Sequence, residues 1–146
     1  MRALVQRVAF ARVLVGEQPV ADIGPGLLVL LGVGRADTEE TCRQLASKVA
    51  RLRIFDDQQG KMNLSLLDTG GAALVVSQFT LYADTSRGLR PSFTDACEPE
   101  RAKELYERFA SELAYLGVRT QTGQFGARMK VELANEGPVT IMLEEK

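Results

Sequence analysis

Leu74-Val75-Val76-Ser77-Gln78-Phe79-Thr80-Leu81-Tyr82 decides how the rest of the chain is read. It opens as a purely apolar run of strand length and then turns polar at Ser77, Gln78 and Thr80. An apolar run of this kind fits a strand buried on both faces. Polar residues at its C-terminal end present side chains and free N–H groups to a cleft. Two readings stand side by side: a site, or a strand end whose hydroxyls satisfy local backbone groups. On a single strand, Ser77 and Thr80 point to opposite faces.

Working outward, Leu27-Leu28-Val29-Leu30-Leu31-Gly32-Val33 is a second doubly buried strand. The opening segment places Leu4, Gln6, Val8 and Phe10 on one parity and Val13 and Val15 on the other, so a long strand with a bulge near Ala9–Arg12 is expected. Gly16-Glu17-Gln18 reads as a hairpin turn into an edge strand, Pro19–Ile23. Asp37-Thr38-Glu39-Glu40 has capping-box spacing with Asp37 at the cap. Cys42, Leu45, Ala46, Val49 and Leu52 follow at helical spacing, which predicts a helix over Thr38–Arg51.

Ile54-Phe55 is a candidate short strand, Asp56–Met62 a loop, and Asn63–Gly71 a turn-rich segment. Asp84–Thr94 has no periodicity and reads as a long ordered loop or lid. Pro99 suits the first turn of a second helix, with an apolar stripe Ala102, Leu105, Tyr106, Phe109, Leu113, Leu116 and a stop at Gly117. Strands are expected at Val118–Thr122, Ala127–Leu133 and Val139–Leu143. The whole is α+β over one domain, residues 1–146: a strongly curved, partly barrel-like β-sheet with two main helices packed outside.

Bulk numbers narrow the function. The net charge of −1 lacks the positive excess of a bulk-electrostatic nucleic-acid binder, so any nucleic acid would be held by local contacts. The two cysteines, Cys42 and Cys97, have no metal-ligand spacing and form no secreted framework. No signal-peptide pattern occurs, and no apolar run approaches the ~20 residues of a membrane span. A cytoplasmic protein with no membrane partner is the expectation.

The chain has no histidine. That removes the commonest general base and the Ser-His and Cys-His nucleophile pairs. The lysines Lys48, Lys61, Lys103 and Lys130 lie in polar settings, without the desolvation a lysine base requires. Asp56-Asp57 and the acids near Pro99 fit turn chemistry and helix N-terminal charge. Gly137-Pro138 stands out differently. Proline has no backbone donor and glycine no Cβ, so the step leaves carbonyl oxygens uncovered. A cis bond there would let the flanking carbonyls point the same way and catch an ammonium group. The other reading is a turn between strands.

Taken together, Ser77-Gln78-Phe79-Thr80-Leu81 and Asn135-Glu136-Gly137-Pro138-Val139-Thr140 resemble the two signature motifs of the D-aminoacyl-tRNA deacylases. Leu4–Val8, Gly26–Val33, Gly60-Lys61-Met62-Asn63 and Arg90-Pro91-Ser92-Phe93 extend the resemblance from end to end. It implies hydrolysis of the ester joining a D-amino acid to the tRNA 3′-terminal adenosine, with mischarged glycyl-tRNA as a further substrate. It also implies a homodimer with active sites at the subunit interface, and no metal or organic cofactor.

The first motif, from one chain, would supply backbone N–H groups around Phe79–Leu81 to a developing oxyanion. The ribose hydroxyl beside the ester would assist in place of a histidine. The second motif, Gly137-Pro138 with its neighbours Asn135 and Val139, would enter from the partner chain through a cis bond. It would fix the α-ammonium and exclude an L side chain. Arg7 corresponds to a position that holds this motif. Phe125, Gly126, Ala127 and Met129 correspond to the segment around the terminal adenine, where an aromatic stack is the usual device. Arg87, Arg90, Arg128 and Lys130 are candidates for the acceptor phosphates. Two alternatives remain: a Thr80 nucleophile with an acyl-enzyme, and a non-catalytic nucleic-acid-binding dimer on the same fold.

Overall fold

The computed structural model describes residues 1–146. Its backbone is a six-stranded sheet with helices on one side, and a separate two-stranded sheet. In chain order the strands are β1 (Arg2–Val15), β2 (Gln18–Ile23), β3 (Gly26–Gly32), β4 (Phe55–Asp56), β5 (Met62–Leu64), β6 (Ala72–Ser77), β7 (Arg119–Thr122) and β8 (Met129–Glu144). The helices are α1 (Glu39–Arg51), α2 (Leu66–Thr69) and α3 (Pro99–Tyr115). A 3-10 turn covers Phe79–Tyr82. No helix is long and apolar enough to cross a membrane.

The main sheet runs β2-β1-β3-β6-β7, with β8 pairing the other edge of β1. β3, β6 and β7 are parallel; β1 is antiparallel to β2, β3 and β8. The sheet curls until β7 meets β2. There the Gln121 side chain donates to Asp22 O at 2.8 Å and accepts from Asp22 N–H at 2.8 Å, as a strand residue would. The result is a nearly closed barrel.

Two apolar clusters explain the curl. Val8, Ala11, Val13, Ala21, Ile23, Leu28, Leu74 and Val76 fill the interior. Ala3, Val5, Leu27, Val29, Leu31, Ala73 and Val75 face out and pack under Cys42, Leu45 and Val49 of α1 and Leu105, Phe109 and Leu113 of α3. β3 and β6 are therefore buried on both faces, as their unbroken apolar runs require.

Several expectations shift. In the first half of β1 the buried residues are Ala3, Val5 and Val8, so of the parity Leu4, Gln6, Val8 and Phe10 only Val8 is in the core; Phe10 is 43% exposed. Pairing of β1 with β8 breaks between Gln6 and Val8, earlier than the expected bulge, and again between Val8 and Phe10, at its expected start, Ala9. The α1 cap is Thr38, which exchanges hydrogen bonds with Thr41. Asp37 instead accepts from Gly34 N–H at 2.6 Å and from the Met1 ammonium. The segment read as loop and turns carries the β4–β5 hairpin and α2.

The two expected C-terminal strands are one, β8, which runs through Gly137-Pro138. Asn135 makes this possible. Its Oδ1 accepts from Val139 N–H at 2.7 Å, and its Nδ2 donates to Val139 O at 3.1 Å and Thr140 Oγ1 at 2.9 Å. One side chain thus spans the excursion that the backbone ladder cannot bridge.

Candidate active site

β6 ends at Ser77, level with Leu31 of β3. Gln78 N–H donates to Leu31 O at 2.8 Å, the last rung between the two segments. The chain then tightens instead of extending. Leu81 N–H donates to Gln78 O at 3.2 Å and Ala83 N–H to Thr80 O at 3.0 Å. Ser77 and Thr80 are therefore not on opposite faces of one strand; Thr80 belongs to the 3-10 turn. β3 approaches closely here, so a side chain at Gly32 would crowd the turn. A Cβ on Gly32 would lie 3.1 Å from Gln78 O and from Leu81 Cβ.

As in any helix, the first N–H groups of the turn have no acceptor behind them. No backbone carbonyl takes the N–H of Phe79 or Thr80, whereas that of Leu81 is committed to Gln78 O. The Thr80 hydroxyl is engaged by Gln78 Nε2. Arg2 donates to Leu81 O at 2.9 Å and lies 4.4 Å from the centroid of the Tyr82 ring. Phe93 meets Phe79 edge to face at 4.9 Å.

Ser77, Gln78 and Phe79 line one side of a cavity of ≈ 520 Å³. Phe125, Gly126, Ala127 and Met129 line another side. A turn holds this second segment, with Gly126 at φ 77° and Ala127 N–H donating to Gln124 O at 3.2 Å. Tyr106 of α3 sets its position. The Tyr106 hydroxyl donates to Val75 O at 3.0 Å, and its ring lies 5.6 Å from that of Phe125.

Val33, Ala96, Cys97, Pro99 and Ala102 complete the apolar wall, and sequence reasoning missed all of these. Cys97 N–H donates to Val33 O at 2.9 Å, a long-range link with no local signal. Cys97 is the cavity's one titratable side chain, and burial pushes its thiol up, toward the neutral form. The cavity therefore offers backbone donors and an aromatic platform, but no general base. Asp57 is elsewhere, its carboxylate held low by Lys61 N–H.

Arg7, Asn135, Gly137, Pro138 and Val139 do not line this cavity. They form a second locus on β1 and β8. The Gly137-Pro138 bond is cis, and both residues are exposed. Gly137 has φ 138°, and a Cβ there would sit 2.7 Å from Val139 Cγ2 and 3.1 Å from Arg7 Nη2. Arg7 Nε donates to Glu136 O at 2.9 Å and Arg7 Nη1 to Ile54 O at 2.7 Å. One guanidinium thus clamps the approach to the Gly-Pro step against the segment between α1 and β4. Within a chain the two motifs are held firmly but apart.

Comparison with known proteins gives the chain a family. A profile of the family D-Tyr-tRNA(Tyr) deacylase matches residues 4–144. A D-aminoacyl-tRNA deacylase from Roseiflexus sp. (strain RS-1) is 61% identical over 144 residues, covering 99% of this chain and 93% of that protein. One from Thermotoga petrophila is 58% identical over 144 residues, covering 99% and 97%. A solved structure named c-Myc DNA Unwinding Element Binding Protein superposes with a TM-score of 0.95 at 39% identity, covering 100% and 99%. A probable eukaryotic D-amino acid tRNA deacylase, at 18% identity and TM-score 0.86, shares the fold. With the profile spanning the sheet, all three helices and both motifs, the chain belongs to the D-Tyr-tRNA(Tyr) deacylase family.

Proposed function

We propose that this chain hydrolyses the ester between a D-amino acid and the 3′-terminal adenosine of tRNA, working in the cytoplasm as a homodimer. The observation that carries the reading is the cavity. It has Phe79, with its free N–H, at one side, the free Thr80 N–H next along the same turn, an aromatic residue, Phe125, at another side, and no base among its lining residues. An aminoacyl ester is already activated, so positioning and oxyanion stabilisation do most of what is needed. Water adds to the ester carbonyl carbon, and the oxyanion accepts from Phe79 and Thr80 N–H. The C–O bond to the ribose then breaks, the ribose oxygen takes a proton, and free amino acid and tRNA leave. The vicinal ribose hydroxyl relays that proton. One oxyanion donor is typically worth about 3–4 kcal/mol.

The dimer reading rests on the second locus. Gly137 and Pro138 are exposed, lie outside their own chain's cavity, and sit on a strand paired only along β1. An unpaired strand edge of that length invites a partner. In the dimer each Gly-Pro carbonyl region enters the other chain's cavity and fixes the substrate α-ammonium. With ester and ammonium fixed, one remaining direction at Cα opens to solvent and the other meets backbone. An L side chain clashes there, a D side chain does not, and glycine has nothing to clash.

The test compares D-Tyr-tRNA, L-Tyr-tRNA and Gly-tRNA. Turnover of the D and glycyl esters with the L ester spared is expected; equal cleavage of D and L esters sinks the exclusion account. Thr80→Val should keep most of the activity, whereas an acyl-enzyme at Thr80 would lose it. The name of the 39%-identical structure gives a non-catalytic nucleic-acid-binding dimer its standing. Absence of D-Tyr-tRNA turnover at micromolar enzyme, with DNA or RNA still bound, would favour that reading.

A further inference from the structure

We propose that Asp84–Ser92 is a finger that grips the sugar–phosphate backbone of the single-stranded tRNA 3′ end, just before the terminal adenosine. This rests on the deacylase reading and adds a substrate contact outside the cavity. The finger is built. Asp84 N–H donates to Ser92 O at 2.8 Å and Ser92 N–H returns to Asp84 O at 2.9 Å, closing its base. Asp84 Oδ1 accepts from Ser86 N–H at 2.9 Å, and Gly88, at φ 148°, donates to Thr85 O at 3.3 Å.

Its root is the active-site turn. Asp84 follows the Phe79–Tyr82 turn by two residues, and Phe93, just past the base, packs edge-on against Phe79. The finger's place relative to the free N–H groups is therefore set by packing. Phe79 also lines the cavity, so a strand whose last nucleotide lies there has this root beside it.

The tip is Arg87-Gly88-Leu89-Arg90. Arg87 and Arg90 are exposed and enter none of the chain's ion pairs or side-chain hydrogen bonds. By contrast, Arg43, Arg101 and Arg108 on the helices each meet a glutamate. Leu89 between them is 102% exposed. The acids of this segment are Asp84 at the base, tied to Ser86, and Asp95 beyond it.

Two unpaired guanidiniums flanking an apolar side chain match a nucleic-acid strand. Phosphates take the cations, and ribose and base faces take the leucine. An apolar protein pocket around Leu89 would instead desolvate two unpaired charges, which costs more than one leucine returns. A few local contacts of this kind suit a chain whose net charge is −1.

Hydrolysis of D-Tyr-tRNA and of the minimal ester D-tyrosyl-adenosine is measured for wild type, R87A/R90A and Leu89→Ser. The expected result is a KM for D-Tyr-tRNA raised roughly tenfold or more in R87A/R90A. Its salt dependence should flatten by about 1.4 in log–log slope, the value for two phosphates on a single strand. Turnover of D-tyrosyl-adenosine should follow wild type. Equal losses on both esters would overturn the proposal, because the finger would then act by shaping the cavity through Phe93. So would unchanged tRNA kinetics, or a Leu89→Ser chain that loses its self-association in sedimentation. Anisotropy with uncharged tRNA reads the finger independently of turnover. Weaker binding by R87A/R90A supports it even if wild type cleaves neither ester, a result that would remove only the deacylase reading.

Discussion

Arg7 Nε donates to Glu136 O at 2.9 Å, one residue before Gly137, while the same guanidinium donates to Ile54 O at 2.7 Å. The side chain is only 13% exposed, and its bond to Ile54 O is part-buried, while the bond to Glu136 O lies at the surface. Hydrogen bonds to a charged group are worth about 1.5–3 kcal/mol. Arg7→Ala should therefore lower kcat/KM for D-Tyr-tRNA by roughly 10–150-fold. Lysine is a compact point charge and cannot reach both carbonyls at once, so Arg7→Lys should recover only part. Steady-state kinetics on both variants checks this; an Arg7→Ala chain close to wild type would detach Arg7 from the Gly-Pro locus.

Arg2 stands to the other motif as Arg7 does to the second. It holds Leu81 O at 2.9 Å and covers Tyr82, which fixes the C-terminal end of the turn that carries the Phe79 and Thr80 N–H groups. Arg2→Met keeps the stem and removes the donor. It should reduce kcat by roughly tenfold or more with little change in KM, because the donors act on the oxyanion and not on the bound ester. A matched fall in Tm with unchanged kcat would make Arg2 a stability residue only.

Much of this was legible in the residues and some was not, for identifiable reasons. β3 and β6 announce themselves as apolar runs, and α1 and α3 as apolar stripes with caps. The turn at Phe79 did not. Phe79-Thr80-Leu81-Tyr82 is as β-prone as the strand before it, and what ends β6 is a distant event, the last rung to Leu31 O. β8 looked like two strands because Gly137-Pro138 lacks ladder capacity; the repair comes from the Asn135 side chain. The cavity wall at Ala96–Cys97 depends on pairing across to Val33 and Gly34, which no local pattern encodes.

Gln121 closes the barrel with a side chain where a strand rung would otherwise be. Gln121→Ala loses two neutral hydrogen bonds at an exposed seam, about 1 kcal/mol in all. At this chain length that is a Tm fall of roughly 2–4 °C. Gln121→Glu should do no better, since a carboxylate cannot donate to Asp22 O. Thermal unfolding measures both. Neither variant touches the cavity wall, so deacylation should persist at temperatures well below the transition.

Cys42 gives the fold an alkaline limit. It is fully buried under α3, with its thiol donating to Leu105 O at 3.5 Å. Burial first, and then the Glu112 carboxylate, push the thiol from 9.0 up to about 12. A raised folded pKa means that the native state holds the proton longer than the unfolded chain does. The contribution is fully present below pH 9.0 and is lost as the pH climbs toward about 12. Tyr82 and Tyr106, also raised by burial, act in the same direction, so the wild-type slope alone would not isolate the thiol. Cys42→Ala does. It should be less stable than wild type at neutral pH, from the lost packing, and the gap should narrow at each step above pH 9.0 as wild type gives up its proton-linked share. Urea midpoints taken from neutral pH to strongly alkaline buffer follow that gap, and a constant gap across the range would show that the thiol titrates no differently in the folded chain than in the unfolded one.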